Sequence, residues 1–587
     1  MLKLLKNLNK RDYIYVFISA GLIVFQVWLE LKMPDYMSNI TQLVQTRGAS
    51  INDILREGSY MLLCAFGSLV SAFIVGYFTS TIAASFSYRT RGKLFRKVED
   101  ISTFEVKKFS PSSLITRTTN DITQIEFLIA MGLTLMIKAP ITAVWAVTKI
   151  LNKNIEWSIL TGVAVLVLLI TIGIIMMIVM PKFKIVQELM DKINMVMREN
   201  LSGIRVVRAF NAEKYQEDKF ENVNNTLTNQ QVFNQKAFNF LSPVMYLVMY
   251  FLTLGIYFIG AILINEANMG DKIVLFGNMI VFSSYAMQVI MSFLMLAMIF
   301  MMLPRASVSA KRINEVLDTP ISVNEGNVTM NNSDIKGCVE FKNVSFKYPD
   351  ADEYVLEDIS FKVNKGETIA FIGSTGSGKS TLINLIPRFY DATSGEILIN
   401  GIDVRDYSFE YLNNIIGYVP QKATLFSGDI LSNVSFGKNI DGKPSNKKIA
   451  DALRVSQASE FVSKLEDGEK SHIAQGGTNI SGGQKQRLSI ARTIARNPEI
   501  YIFDDSFSAL DYKTDSTLRR ELREYTKDAT VMIVAQRIGT ILNADKIVVL
   551  DNGKCVGVGT HNELMKKCKV YKEIALSQVS KEELENV

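Results

Sequence analysis

Long apolar runs crowd the first ~300 residues of this 587-residue chain, and a mixed alternating pattern fills the last ~250. Six runs, at about 13–33, 59–85, 127–150, 157–180, 240–264 and 273–303, each reach or exceed the ~20 residues a membrane-crossing helix needs. Only residues 151–156 part the third from the fourth, which predicts a tight helical hairpin. The connections at 85–126 and 181–239 are charged and helix-forming, as in Phe183-Lys184-Ile185-Val186-Gln187-Glu188-Leu189, and predict helices running beyond the bilayer. From Val339 to Tyr348 the pattern alternates as a strand, opening a soluble α/β region. The pattern sets a membrane domain at 1–303, a linker at 304–337 and a second domain at 338–587.

Charge adds an orientation. The 85–126 connection holds eight Lys/Arg, from Arg89 to Arg117, and 181–239 holds nine, whereas 34–58 has only Arg47 and Arg56. By the positive-inside rule the long connections, both termini and the second domain are cytoplasmic, giving a multi-pass protein of the cytoplasmic membrane. The overall charge of +6 needs no nucleic-acid partner, since the basic residues sit beside the apolar runs. The first run is too long for a signal-peptide core and lacks a small-residue cleavage site, so it reads as a retained anchor. Cys64, Cys338, Cys555 and Cys568 are scattered without metal or redox spacing, and His472 and His561 are too few for a histidine metal site.

Two charges lie within the apolar runs. Glu30 and Lys138 read either as contacts along a substrate path or as interfacial side chains. Met287, Met291, Met295 and Met298 recur at helical spacing, which suits either ordinary packing or a pliable substrate-facing surface.

The second domain carries the chemistry. Gly373-Ser374-Thr375-Gly376-Ser377-Gly378-Lys379-Ser380-Thr381 follows the apolar strand 368–372 and opens a helix, the setting a phosphate-binding loop requires. Its glycines let backbone N–H groups wrap phosphate oxygens at a helix N-terminus. Lys379 is expected at the β- and γ-phosphates and Ser380 on Mg²⁺. The apolar stretch 499–504 reads as the buried strand that ends in the Mg²⁺-associated Asp504.

Ile480-Ser481-Gly482-Gly483-Gln484, followed by Lys485 to Arg492, is a glycine-rich turn opening a helix. With the two preceding motifs it resembles the signature of the ATP-binding cassette (ABC) transporters, and the whole chain resembles an exporter-type half-transporter of that family. The resemblance implies a six-helix membrane domain fused to a P-loop nucleotide-binding domain, a transport ATPase using ATP and Mg²⁺. It further implies that Tyr348 stacks on adenine, that Gln421 senses Mg²⁺ and the γ-phosphate, and that Asp511 lies in a loop crossing between two cassettes. Residues 114–121 resemble the first coupling segment, and 201–210 resemble an exporter motif in the second long connection.

Two positions depart from the family pattern. Where its members carry a glutamate base this chain has Asp505, one methylene short, and where they carry a switch histidine it has Gln536. A carboxylate displaced by about 1 Å loses ~100-fold in rate, and glutamine cannot carry charge. Gln475, just before the signature, also replaces a common glutamate. The pattern resembles the degenerate-site subunit of a heterodimeric multidrug-type exporter. It implies a second, non-identical half-transporter with an intact glutamate and histidine, and an amphipathic drug-like, lipid or peptide-like substrate. A homodimeric flippase, an exporter-fold importer of siderophore-like ligands, and an ATP-gated channel or regulator remain as alternatives.

Overall fold

Apolar segments of this length must satisfy every backbone N–H and C=O internally, and helices do so. The computed structural model, describing residues 2–46, 50–151, 155–330, 335–437 and 442–578, places a helix on each of the six runs. Among the described residues the candidate spans are Lys10–Gln45, Ile51–Asp100, Pro111–Leu151, Ile155–Ser202, Glu213–Glu266 and Asp271–Leu317. The 54 residues of Glu213–Glu266 extend ~80 Å at 1.5 Å per residue, far more than the ~30 Å hydrocarbon layer. The long connections are therefore mostly helix, as their charge pattern predicts. The sixth helix continues through residues 304–317, which the sequence pattern assigns to a linker. The third is interrupted: Pro111–Thr118 and Asn120–Phe127 lead into a π-helical turn, Leu128–Gly132, before Leu133–Leu151.

Contacts divide the chain into two units, Met1–Val98 with Ser110–Thr319, and Glu99–Phe109 with Pro320–Val587. In the first, Ile23, Val27, Ile150, Trp157, Ile256, Phe282 and Tyr285 build a buried core across helices one, three, four, five and six. Beside it Lys138 pairs with Glu30 at 2.8 Å, and Gln26 and Ser68 donate to the same carboxylate oxygen at 2.9 and 3.2 Å. The two charges singled out in the sequence thus compensate one another. Lys149 pairs with Asp35 at 2.9 Å, and the Tyr285 hydroxyl donates to Asp35 at 2.8 Å. Met291 and Met298 are exposed, on the helix face away from buried Tyr285, Ala286 and Val289.

The second unit includes the short helix Thr103–Lys108, whose Phe104 packs on the core there and whose Lys107 ammonium donates to the Tyr390 hydroxyl at 3.1 Å. Residues 114–121, which resemble the coupling segment, belong to the first unit.

The strands of the second unit are β1 (Val339–Phe346), β2 (Leu356–Val363), β3 (Thr368–Gly373), β4 (Ser394–Ile399), β5 (Ile402–Asp403) and β6 (Ile416–Val419), followed by β7 (Gly428–Asp429), β8 (His472–Ile473), β9 (Ile500–Asp504), β10 (Thr530–Val534), β11 (Lys546–Asp551) and β12 (Lys554–Gly559). Ten form one sheet in the order β5-β4-β1-β2-β12-β11-β3-β10-β9-β6. Neighbours from β11 to β6 run parallel and are almost wholly buried, as sheets covered on both faces require. Register pairs Val534 with both Phe371 and Asp504, so the carboxyl ends of β3, β9 and β10 lie side by side. Open parallel sheets bind ligands at this edge.

Candidate functional site

At the end of β3 the chain turns through Ser374–Gly378 into the helix Lys379–Asn384. Gly376 and Gly378 hold φ of +87° and +94°, in the left-handed region that only glycine occupies freely. A Cβ on Gly373 would lie 2.1 Å from the Leu550 carbonyl oxygen, so no larger residue fits beside β11. The Lys379 ammonium donates to the carbonyls of Gly373 and Ser374 at 2.8 and 2.7 Å, keeping the loop curled around it. Burial pushes this lysine's pKa down, opposed by Asp505 and Asp504.

Ser380 Oγ donates to Asp504 Oδ1 at 2.9 Å, which places a hydroxyl and a carboxylate together as oxygen donors for a hard cation. Tyr418 Oη, which the sequence reading passed over, reaches Asp504 Oδ2 at 3.4 Å and Asn384 at 3.0 Å. The phenol sits on a strand paired with β9, a position that only the sheet order reveals. Asp504 is pushed above the usual carboxylate range by burial, against the bonds from Ser380 and Tyr418. Among the described residues no cluster of three His, Cys, Asp or Glu could hold a metal alone.

Asp505 follows at φ +46°. Its Oδ2 accepts from the Gln536 amide at 2.7 Å and from the Gln421 amide at 3.2 Å, and its own carbonyl accepts from Ser508 Oγ at 2.9 Å. The two positions at which the chain departs from the family pattern are therefore bonded directly to each other. Burial raises the Asp505 pKa, with the Gln421 bond the first of the opposing effects. Tyr348, half-buried, bonds Thr381 Oγ1 at 3.1 Å and meets the Tyr390 ring edge-on at 5.3 Å, beside the start of the loop helix.

The signature lies apart from this cluster. Ser481 caps the helix Gly482–Arg496 in a reciprocal box: the Gln484 N–H donates to Ser481 Oγ at 3.3 Å and the Ser481 N–H to Gln484 Oε1 at 2.9 Å. Ser481 and Gly482 are exposed, and among the described residues no hydrogen bond joins them to Lys379, Ser380, Asp504 or Asp505. Gly483 abuts the Ala509 carbonyl, where a Cβ would stand 3.3 Å away. Asp511 caps Tyr512–Tyr525 through the Thr514 N–H at 3.0 Å. Gln475 begins a short turn, with Gly476 and Gly477 at φ +67° and +65°. All four cysteines are free, and three are buried.

Family models match both parts of the chain, the ABC transporter transmembrane region over residues 15–303 and the ABC transporter domain over 356–508. The chain belongs to the ABC transporter family. An ABC transporter ATP-binding protein of Mycobacterium tuberculosis, described as uncharacterized, is 40% identical over 554 residues, 92% of this chain and 93% of that one. The ATP-dependent lipid A-core flippase of Pseudomonas aeruginosa is 30% identical over 509 residues, 86% of this chain and 82% of that one. A bacterial Atm1-family ABC exporter solved with ATP bound shares the fold, with a TM-score of 0.82 at 23% identity over 98% of this chain and all of that one. The chain is thus a membrane-spanning ABC half-transporter of exporter fold, one membrane domain and one ATP-binding domain on a single polypeptide.

Proposed function

We propose that this ABC half-transporter forms a heterodimer that exports amphipathic drug-like, lipid or peptide-like molecules across the cytoplasmic membrane, and that it supplies the degenerate ATP site. The observation that carries this reading is the occupied Oδ2 of Asp505, held by both Gln421 and Gln536. A general base must come within about 2.6–3.2 Å of the water it activates. A shortened carboxylate already accepting two amide bonds is poorly placed for that, and Gln536 cannot take up charge.

The other groups suit nucleotide binding. The backbone of Ser374–Gly378 and the Lys379 ammonium hold the phosphates, Thr381 follows at the helix start and Tyr348 faces adenine. Ser380, Asp504 and Gln421 hold Mg²⁺. ATP supplies a phosphoanhydride whose cleavage drives transport. Ser481 and Gly482, exposed at a helix N-terminus, with the half-buried Gly483 and Gln484, offer donors to a phosphate bound by the other subunit, and the exposed Asp511 belongs to the loop that crosses toward it. The basic long connections support a cytoplasmic placement of both termini and the cassette.

Measuring ATP hydrolysis by the chain purified alone tests this. The expected rate is at least ~10-fold below that of the chain co-purified with a half-transporter carrying the intact glutamate and histidine. Robust turnover by the lone chain, abolished by Lys379→Ala, sinks the heterodimer. That outcome would favour a homodimeric lipid flippase, a reading that the similarity to the Pseudomonas flippases keeps in play.

A further inference from the structure

The side-chain amide of Gln578, at the end of the helix Lys569–Gln578, bonds twice to one stretch of backbone. Its Nε2 donates to the Gln536 carbonyl at 2.8 Å, and its Oε1 accepts from the Ile538 N–H at 2.9 Å. Gln536 and Ile538 stand at the two ends of the bend that leads from β10 into the short helix Ile538–Ile541. The first amides of a helix have no partner inside it. Arg537, at the cap position, offers no side-chain bond among the described residues, so the acceptor comes from Gln578, 40 positions along the chain.

The helix that carries Gln578 is anchored. Tyr571, Ala575 and Gln578 recur at i, i+4 and i+7 and so share one helix face. Tyr571 and Ala575 are fully buried, and the Tyr571 hydroxyl bonds His561 Nδ1 at 2.7 Å. The short helix is held separately, by the buried Ile538 and Ile541 and by the Arg519 guanidinium, which donates to the Gly539 carbonyl at 2.8 Å. Gln578 therefore bears on the bend more than on the helix after it.

From that bend the Gln536 amide reaches Asp505 Oδ2 at 2.7 Å. Asp505 stands beside the phosphate loop. It follows Asp504, which accepts from Ser380, and its charge acts on Lys379. An ionised carboxylate there repels the phosphates that Lys379 attracts, unless donors disperse its charge.

We propose that Gln578 is a positioning residue for the ATP site. It fixes the bend so that Gln536 stays on Asp505, and the bonded carboxylate then tolerates the third phosphate of a nucleoside triphosphate. The helix Lys569–Gln578 thereby acts on the site through the relay Gln578–Gln536–Asp505. The inference needs only that this chain binds ATP, and it stands whether or not the partner is a different subunit.

Displacement of trinitrophenyl-ATP by the non-hydrolysable analogue AMP-PNP and by ADP, with Mg²⁺, on the full-length chain in nanodiscs tests it. Gln578→Ala should weaken AMP-PNP by about threefold or more, the scale of one lost hydrogen bond, and ADP by less than about 1.5-fold. Gln578→Glu keeps the acceptor for Ile538 but sets a carboxylate against the Gln536 carbonyl, and should do the same. The AMP-PNP-to-ADP ratio is read within each preparation, so partial misfolding cancels. In an Asp505→Asn background there is no charge to disperse, and Gln578→Ala should leave the ratio unchanged. A merely structural role would move both nucleotides in both backgrounds. Hydrogen exchange at the Ile538 amide should quicken in Gln578→Ala as the bend is released. An unchanged ratio in Gln578→Ala, a shift of the same size with Asp505→Asn, or Ile538 exchange as slow as the parent's overturns the proposal.

Discussion

Asp505 sits in the left-handed backbone region, where Asp and Asn are tolerated better than most residues, and its N–H bonds the Val534 carbonyl at 3.1 Å. Burial raises its pKa above the value it has in the unfolded chain. The contribution to stability is then full below the ordinary carboxylate range and lost as pH rises through the raised value. Asp505→Asn keeps the backbone preference and removes the buried charge. We expect the nucleotide-free Asn variant to unfold at a higher temperature than the parent at neutral pH. The gap should close as pH falls toward about 4, where an unperturbed carboxylate takes up its proton. A gap that widens in acid would contradict the burial of an ionised Asp505. The sequence alone marks Asp505 and Gln536 as departures, but their 2.7 Å bond joins residues 31 apart and depends on the pairing of β9 with β10.

Among elements, the six apolar helices and the strand leading into the phosphate loop were legible, because length and period are local properties of the chain. Three features were not. The helix Thr103–Lys108 is placed by the contact of Phe104 with a distant core, the π-helical turn has no compositional mark, and the sheet order depends on crossovers. The same holds for Glu30 and Lys138, visible as two costly charges but paired only in the folded state across 108 positions. Breaking one partner of a buried pair costs about 3–5 kcal/mol, and the partial exposure of this one lowers the expectation to about 1–3 kcal/mol. We expect Glu30→Gln and Lys138→Met each to destabilise the membrane unit by that amount, and the double variant to recover most of the loss. A thermal-unfolding double-mutant cycle in detergent reads this, and strictly additive losses would contradict a direct pair.

At the scale of the whole molecule, the proposed heterodimer divides labour between two kinds of ATP site. In that proposal this chain's phosphate loop, Asp505 and Gln536 form a site that holds nucleotide, and its exposed Ser481 turn is lent to a partner's site that does the chemistry. The family membership and exporter fold follow from matches over most of the chain. The proposed asymmetry is supported by the bonding of Asp505. A symmetric pump would place Ser481 and Asp505 in the same reaction centre, so damage to either would stop turnover. The most direct test is steady-state ATP hydrolysis by the co-purified complex carrying either Ser481→Ala or Asp505→Asn in this chain. The account predicts a loss of about 100-fold for Ser481→Ala, the scale of removing one transition-state donor, and about threefold or less for Asp505→Asn. Equal, large losses from both substitutions would contradict it.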